Sequence, residues 1–260
     1  MGVLNVTPDS FYIASQSNNK NEILQKLDQF IAHGVDIIDI GAVSTRPNAK
    51  VYTSESEEIN RITNALEIIK KEYPQLIISC DTFRAKVAEL VVQNYGVSII
   101  NDISGGTFDP LMFETVAKLK VPYILMHTKG TLQTMHKETT YEDLLSDILL
   151  FFSMMIQKLR MIGVNDIIVD PGFGFAKTVN QNFELLKRIS YLRDFECPIL
   201  VGLSRKSMFY KTFNTTPEES LNATNVSNFH ALQSGANILR VHDVKEAKET
   251  IELYQKILME

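Results

Sequence analysis

The chain has 260 residues, and its 26 basic and 31 acidic side chains give a formal net charge of −5. This charge argues against a nucleic-acid-binding protein, since such proteins usually present a basic patch. Apolar residues make up 45% and charged residues 22% of the chain, a globular composition that excludes intrinsic disorder. Because single α/β barrels commonly reach about 250 residues, the length fits one domain.

Short apolar segments alternate with longer amphipathic segments along the whole chain. The short segments predict eight strands, at 2–6, 36–40, 76–80, 98–101, 122–126, 166–170, 198–201 and 237–241. Between them, about eight helices are expected from apolar residues spaced three and four apart, as in Ile59, Ile62, Leu66 and Ile69.

Helix ends are marked by local signals. Ser54 and Glu57 have the spacing of a capping box. Glycines follow four of the predicted helices, where a C-cap favours this residue: Gly34, Gly96, Gly163 and Gly235. The alternation predicts a single-domain α/β (β/α)8 TIM barrel over residues 1–260, with an open doubly wound sheet as the alternative.

Targeting and cross-linking signals are weak. Residues 1–6 are too short and insufficiently basic for a signal peptide, and the most apolar run, 148–156, is shorter than the roughly 20 residues of a membrane span. Cys80 and Cys197 cannot form a disulfide framework. We therefore expect a soluble, cytoplasmic protein without a membrane or nucleic-acid partner.

Almost every predicted strand ends on polar residues. In chain order they are Asn5, Asp39, Asp81, Asn101 with Asp102, His127, Asp170, residues 204–207, and Arg240 with His242. The carboxyl ends of barrel strands meet at one mouth, where the active sites of this fold lie. Carboxylates and amides suit a heterocycle with several N–H and C=O groups, and the cations, among which we count His242, suit a phosphate.

The segments that carry these residues resemble dihydropteroate synthases, the folate-pathway family inhibited by sulfonamides. The matching segments are MGVLNVTPDSF, DIIDIGAVSTRP, ISCDTFRAKVAE, INDISGG, ILMHTKGT, IIVDPGFGFAKTVNQNFELL, VGLSRKSMF and RVHDV, which together span the chain. The resemblance implies a TIM barrel that condenses 4-aminobenzoate with a dihydropterin methyl diphosphate and releases pyrophosphate. It also implies a homodimer, for which the helices at 217–234 and 245–258 are candidate surfaces.

Matching family positions imply a role for each site residue. The pterin-binding set is Asp81, Asn101, Ile103, Met126, Asp170, Phe175, Gly202, Lys206 and Arg240. The aminobenzoate-binding set is Phe11, Pro47, Phe175, Ser204, Lys206 and Ser207. Asn5, Thr45, Arg46, Arg240 and His242 match the pyrophosphate site, and Asn5 also matches the ligand of Mg²⁺, the implied cofactor. The catalytic set is Asp9, Thr45, Arg46, Lys206, Arg240 and His242.

Several alternatives stay open. Asp170 could instead cap the turn at Pro171 and Gly172, and a structural role is an equal alternative for His127. Two long polar loops, 7–21 and 41–54, are expected to close over the diphosphate. In the first loop, the segment 12–15 differs from the serine, acid and two glycines that are usual in the family, so the flexibility of this loop is an open question. A pterin-binding methyltransferase and an inactive pterin-binding homologue are the competing functions.

Overall fold

A computed structural model describes residues 1–7, 16–43, 53–135 and 137–258. Eight parallel strands are present in these ranges: β1 Gly2–Asn5, β2 Ile37–Gly41, β3 Ile77–Asp81, β4 Ile99–Asp102, β5 Tyr123–Met126, β6 Ile167–Asp170, β7 Leu200–Val201 and β8 Ile238–Leu239. All eight predicted strands are confirmed, with bounds shifted by one or two residues.

Helices separate the strands in the predicted alternation. They are α1 Gln16–Ala32, α2 Glu55–Glu72, α3 Ala85–Tyr95, α4 Met112–Leu119, α5 Leu144–Met161, α6 Val179–Lys187, α7 Ser207–Phe213, α8 Leu221–Gln233 and α9 Val244–Leu258. Two 3₁₀ turns, Ile189–Phe195 and Glu218–Ser220, precede β7 and α8. The connection from β7 to β8 therefore holds two helices, and the helix predicted over 217–234 begins only at Leu221.

The strands form a ring. β1 to β6 pair in chain order, and β7 pairs with β8. Single parallel bridges join Val169 of β6 to Ile199, just before β7, and Gly2 of β1 to Val241, just after β8. These bridges complete the circuit of eight strands, which favours the predicted barrel over an open sheet.

Strand side chains alternate between the barrel interior and the helix layer. One buried apolar cluster consists of residues from strands all around the ring, and it fills the interior near the amino ends of the strands: Met1, Ile99, Ile124, Ile168 and Leu200. The neighbouring positions on the strands, such as Ile38, Ile100 and Val169, belong to the larger cluster beneath the helices. Two residues further along, the interior becomes polar at Asp39 of β2, Asn101 of β4, Asp170 of β6 and Arg240 after β8, whereas Met126 of β5 stays apolar.

The local signals that mark helix ends in the sequence are present in the structure. Ser54 and Glu57 form the complete capping box of α2. The four predicted C-cap glycines all have positive φ angles: Gly34 at 73°, Gly96 at 68°, Gly163 at 89° and Gly235 at 107°. A second capping box, Thr178 with Gln181, begins α6. Among the helices of the described ranges, none has both the length and the apolar character needed to cross a membrane.

A buried ion pair joins α2 to the segment after β3. Arg84 Nη1 contacts Glu58 Oε2, and the other carboxylate oxygen of Glu58 accepts a 2.6 Å bond from Thr82 Oγ1. Arg84 Nη2 donates to the Thr53 carbonyl oxygen at 2.7 Å. Because Glu58 is fully buried, its charge depends on these partners.

We predict that Glu58→Ala lowers the free energy of unfolding by about 3–5 kcal/mol, since it leaves Arg84 buried without its carboxylate. Urea denaturation measures the change. The control is Glu55→Ala, which removes a partner of the exposed Lys86 at 2.7 Å and is expected to cost at most about 1 kcal/mol. Equal losses in the two variants would contradict the assignment.

Candidate active site

Polar side chains occupy the barrel interior at the carboxyl ends of the strands. Among them are Asp39 of β2, Asp81 of β3, Asn101 of β4, Asp170 of β6, and Arg240 directly after β8. Each is an even number of residues along its strand from an apolar residue: Ile37, Ile77, Ile99, Ile168 or Ile238. Ile99 and Ile168 belong to the interior cluster, so the two-residue period directs the polar side chains inward. The structure therefore brings together four of the predicted pterin-binding residues.

Arg240 is held at the centre of this group by two carboxylates. Its Nε donates to Asp39 Oδ2 at 2.7 Å, and its Nη2 lies 2.6 Å from the same oxygen and 2.7 Å from Asp81 Oδ2. Burial alone would lower the pKa of Arg240, but the charges of Asp39 and Asp81 outweigh it and raise that pKa above its ordinary value. Arg240 is therefore a permanent cation with a fixed orientation.

Asp39 organises more of the site than the sequence indicated. It is fully buried and accepts bonds from Ser79 Oγ at 2.6 Å and Asn101 Nδ2 at 3.0 Å, in addition to Arg240. The bond from Nδ2 fixes the amide so that Asn101 Oδ1 faces away from Asp39 and remains an acceptor. We named Asp39 as a polar strand position but assigned it no role.

Asp170 combines the two alternatives that the sequence left open. Its Oδ1 accepts the Gly172 N–H at 2.8 Å, which is the turn cap. In the part of the chain that the structure describes, Oδ2 accepts no hydrogen bond, so it can accept one from a ligand. Burial raises the pKa of Asp170, and the Gly172 bond and the charge of Lys206 oppose this.

Burial also raises the pKa of Asp81 to about 7, although the adjacent Arg240 acts in the opposite direction. Asp81 lies beside Asn5. A Cβ atom added at Gly41 would lie 3.5 Å from Asp81 Oδ2 and 3.6 Å from Asn5 Oδ1. Two oxygen acceptors therefore lie on either side of Gly41 at the edge of the mouth, within van der Waals contact of a Cβ atom at that position.

An apolar cluster forms one wall of the mouth. It contains the predicted residues Ile103 and Met126, together with Phe83 and Met135, and Phe175 packs against it. Gly202 follows β7, and a Cβ atom there would meet no atom within 4 Å, so the backbone is open at this point. The residues predicted to bind a pterin therefore form a polar group beside an apolar wall, a composition typical of small-molecule sites.

Lys206 lies at the N-cap of α7, with Nζ 4.5 Å from the centre of the Phe175 ring. Burial lowers the pKa of Lys206 to about 8, and the nearby charge of Asp170 opposes the shift. The turn before it is fixed by Arg205, which has a left-handed φ of 54° and a two-pronged ion pair with Asp243 at 3.0 and 2.6 Å. Sequence analysis missed this pair, whose members are 38 residues apart.

His242 and Ser204 form one unit, although we assigned them to different substrates. The Ser204 hydroxyl accepts the His242 backbone N–H at 3.2 Å and lies 3.0 Å from His242 Nδ1. Burial, reinforced by Arg240, lowers the pKa of His242 to about 4. This shift leaves Arg240 and Lys206 as the stronger cations of the site, and the count of His242 among its cations stays a prediction. Ser207 is half-buried in the first turn of α7.

Asp102 and His127, named among the converging strand ends, face the helix layer instead. Asp102 accepts bonds from Tyr123 Oη at 2.6 Å and Gly106 N at 2.9 Å. The His127 ring lies 5.1 Å from the Phe151 ring and 6.1 Å from the Tyr141 ring. Each follows an inward-facing residue by one position, so the strand alternation turns it outward. This favours the structural alternative for His127.

Five predicted residues lie outside the described residues: Asp9, Phe11, Thr45, Arg46 and Pro47. The segment 12–15 and most of both predicted loops lie outside them as well. Within the described ranges, no three His, Cys, Asp or Glu side chains are grouped to hold a metal ion.

Comparisons with known proteins agree with this site. Residues 1–242 match the family described as pterin binding enzyme. The chain is 41% identical over 94% of its length to a dihydropteroate synthase of Synechocystis, of which it covers 85%. It is also 40% identical to the Pneumocystis carinii folic acid synthesis protein fol1, but spans only 34% of that protein.

Solved structures show the same relationship. The dihydropteroate synthase of Clostridium difficile, crystallised in the presence of pteroic acid, superposes with a TM-score of 0.93 at 35% identity, over 100% of this chain and 96% of the other. The Yersinia pestis dihydropteroate synthase, in complex with a sulfonamide drug, gives a TM-score of 0.91 at 37% identity, over 100% and 94%. These likenesses cover the whole barrel and every strand end of the site. The chain therefore belongs to the dihydropteroate synthase family of pterin-binding enzymes.

Proposed function

We propose that the chain condenses 4-aminobenzoate with (7,8-dihydropterin-6-yl)methyl diphosphate, giving 7,8-dihydropteroate and pyrophosphate. The observation that carries this proposal is the pair of oriented acceptors, Asn101 Oδ1 and Asp170 Oδ2, beside an apolar wall and two cations. A pterin edge presents N–H donors to such acceptors, and its flat ring suits the wall. Pteroic acid, present with the Clostridium difficile relative, contains both halves of the proposed product.

In this reaction the bond from the pterin methylene carbon to the diphosphate oxygen breaks, and a bond from that carbon to the aminobenzoate nitrogen forms. The nitrogen then loses a proton to water or to the released pyrophosphate. Since the aromatic amine is neutral at pH 7, no strong base is required. The charge that develops on the departing diphosphate needs fixed positive partners, which Arg240 and protonated Lys206 supply. His242 contributes a ring N–H donor.

Mg²⁺ is part of the proposal. Asn5 offers one uncharged oxygen beside Asp81, and Mg²⁺ keeps several waters while it binds through few protein groups and substrate phosphates. This donor set fits an ion that arrives largely with the diphosphate. When bound, the ion supplies charge neutralisation for the leaving group. Thr45 and Arg46 are proposed to complete the diphosphate site, and Asp9 is proposed as a further catalytic residue.

We also propose that the enzyme acts in the cytoplasm as a homodimer. Two free cysteines, Cys80 and Cys197, are compatible with a reducing compartment. Val226 of α8 and Leu253 and Ile257 of α9 expose 64%, 55% and 63% of their surface, and they offer an apolar face on the helices that we predicted for the dimer.

The direct test is pyrophosphate release that requires 4-aminobenzoate, the pterin diphosphate and Mg²⁺ together. Asp170→Asn is the informative variant, because the asparagine oxygen can still cap Gly172 while its NH₂ group meets the pterin donors. We expect pterin affinity to fall by roughly 1.5–3 kcal/mol, measured by calorimetry with a pterin analogue. Pyrophosphate release without aminobenzoate, or unchanged affinity in the variant, would contradict the proposal.

A second prediction concerns pH. Since the pKa of Lys206 is lowered to about 8, its cation is lost as the pH rises through that value. We expect kcat/KM to decline above about pH 8, approaching tenfold per pH unit. In Lys206→Arg the charge persists, so this alkaline decline should disappear even if the rate at pH 7 is lower. Lys211→Arg, an exposed position on the same helix, should keep the decline of the parent protein.

The third prediction concerns sulfonamides, which imitate 4-aminobenzoate. We expect a sulfonamide to raise the apparent KM for aminobenzoate without lowering the maximal rate. Phe175→Ala should weaken sulfonamide binding on the order of tenfold, through the loss of aromatic contact worth about 1.5 kcal/mol. Phe183→Ala, at a partly exposed phenylalanine of α6, serves as the control. Inhibition that excess aminobenzoate leaves intact would contradict the predicted pocket.

A further inference from the structure

Lys177 is a buried lysine that the reaction described above does not use. Only 7% of its surface is exposed. Its Nζ lies 3.1 Å from His127 Nδ1 and donates to the carbonyl oxygens of Gly172 and Phe175, each at 3.0 Å. Burial lowers the pKa of Lys177 to about 7, and the nearby charge of Asp170 opposes the shift. In its protonated form the ammonium group has three donors, and these three acceptors match them. Such a fully matched site distinguishes Lys177 from a solvated lysine.

The bond to His127 connects two strand ends. Because Nδ1 faces a donor, the ring proton resides on Nε2, and burial keeps the pKa of His127 well below its usual value. His127 follows β5, whereas Lys177 ends the loop 171–176 that follows β6. The His127 backbone N–H also donates to the Asp170 carbonyl oxygen at 2.9 Å. Lys177 thus fastens the loop to the neighbouring strand.

The loop itself is closely packed against its surroundings. Gly172 has a φ of 70°, and a Cβ atom there would lie 2.1 Å from the His127 carbonyl oxygen. Gly174 has a φ of 80°, and a Cβ atom there would lie 3.0 Å from Lys206 Cδ. The backbone of the loop therefore touches β5 on one side and Lys206 on the other.

Phe175 links this loop to the site. Its carbonyl oxygen accepts from Lys177, and its ring lies 4.5 Å beneath Lys206 Nζ. A shift of the Phe175 backbone would consequently move both the ring and the lysine above it. The next residue, Ala176, has a left-handed φ of 50° and donates its N–H to the Met135 carbonyl oxygen at 2.7 Å, so few other arrangements are accessible to the loop.

We propose that Lys177 is a positioning residue: by holding the Phe175 carbonyl, it places the Phe175 ring and Lys206 for 4-aminobenzoate. This inference rests on the proposed function. Lys177 touches no substrate, and its effect passes through Phe175. Because a misplacement of about 1 Å is sufficient to slow a reaction strongly, the loss of this anchor should affect the aminobenzoate half of the site more than the pterin half.

The test is a double-mutant cycle of Lys177→Met and Phe175→Ala, with both Michaelis constants measured. Methionine keeps most of the length and apolar stem but removes the three donors. In the parent background we expect the KM for aminobenzoate to rise roughly tenfold or more, with the pterin diphosphate KM changing less than about threefold. In the Phe175→Ala background, Lys177→Met should change either constant by less than about threefold.

Lys187→Met, the same substitution at an exposed lysine of α6, should leave both constants unchanged. Urea denaturation checks that each variant is folded. If Lys177→Met does not fold, Lys177→Gln, which retains one donor group, replaces it in the same cycle. If Lys177→Met raises the KM for aminobenzoate by the same factor in both backgrounds, or raises only the KM for the pterin diphosphate, this inference is overturned while the proposed function stands. A parent protein that releases no pyrophosphate would overturn the proposed function, and this inference with it.

Discussion

The buried ion cluster of Arg240, Asp39 and Asp81 is the interaction on which the rest of the site depends. Taking three charges out of water is costly, and the cost is offset only where geometry and hydrogen bonding are nearly complete. Here the guanidinium lies 2.6–2.7 Å from both carboxylates, and Ser79 and Asn101 supply further donors to Asp39. The cluster joins the ends of β2, β3, β4 and β8 across the barrel.

This arrangement also determines what a ligand meets. With Asp39 occupied by Arg240 and by the Asn101 NH₂ group, the oxygen of Asn101 is left as an acceptor. Asp170 is limited in a similar way, because the backbone of its own turn uses one of its oxygens. Each acceptor offered to a substrate is therefore oriented by a bond on its other side. Such orientation before binding reduces the entropy that a ligand must lose.

Much of the fold and of the polar mouth could be predicted from the sequence, since hydrophobic alternation, caps and strand-end residues are local signals. The alternation of side chains along each strand can also be read from the sequence. Asn101 and Asp102 are adjacent on one strand, so only one of them can face the barrel interior. Applying that rule would have removed Asp102 and His127 from the mouth. The pairing of Arg205 with Asp243, and of Ser204 with His242, joins residues far apart in sequence and left no local signal.

Chemical composition alone was also a poor guide to charge. A histidine near an arginine in RVHDV resembles a second cation, yet its surroundings, which include the charge of Arg240, lower its pKa to about 4. Conversely, Lys177 in GFGFAKT resembles an ordinary surface lysine before a helix. Its burial follows from the shape of the loop, which three left-handed residues create: Gly172, Gly174 and Ala176.

The hydrogen bonds from Lys177 to its loop affect which substitutions the loop can accept. Two of its three acceptors are main-chain carbonyls, which every residue type carries. Substitutions of the loop side chains therefore leave the anchor chemically intact, provided that the backbone keeps its course. Only His127 can be lost as a partner by a single replacement. Substitutions in this segment can thus change the side chains that line the pocket while its backbone keeps the same position.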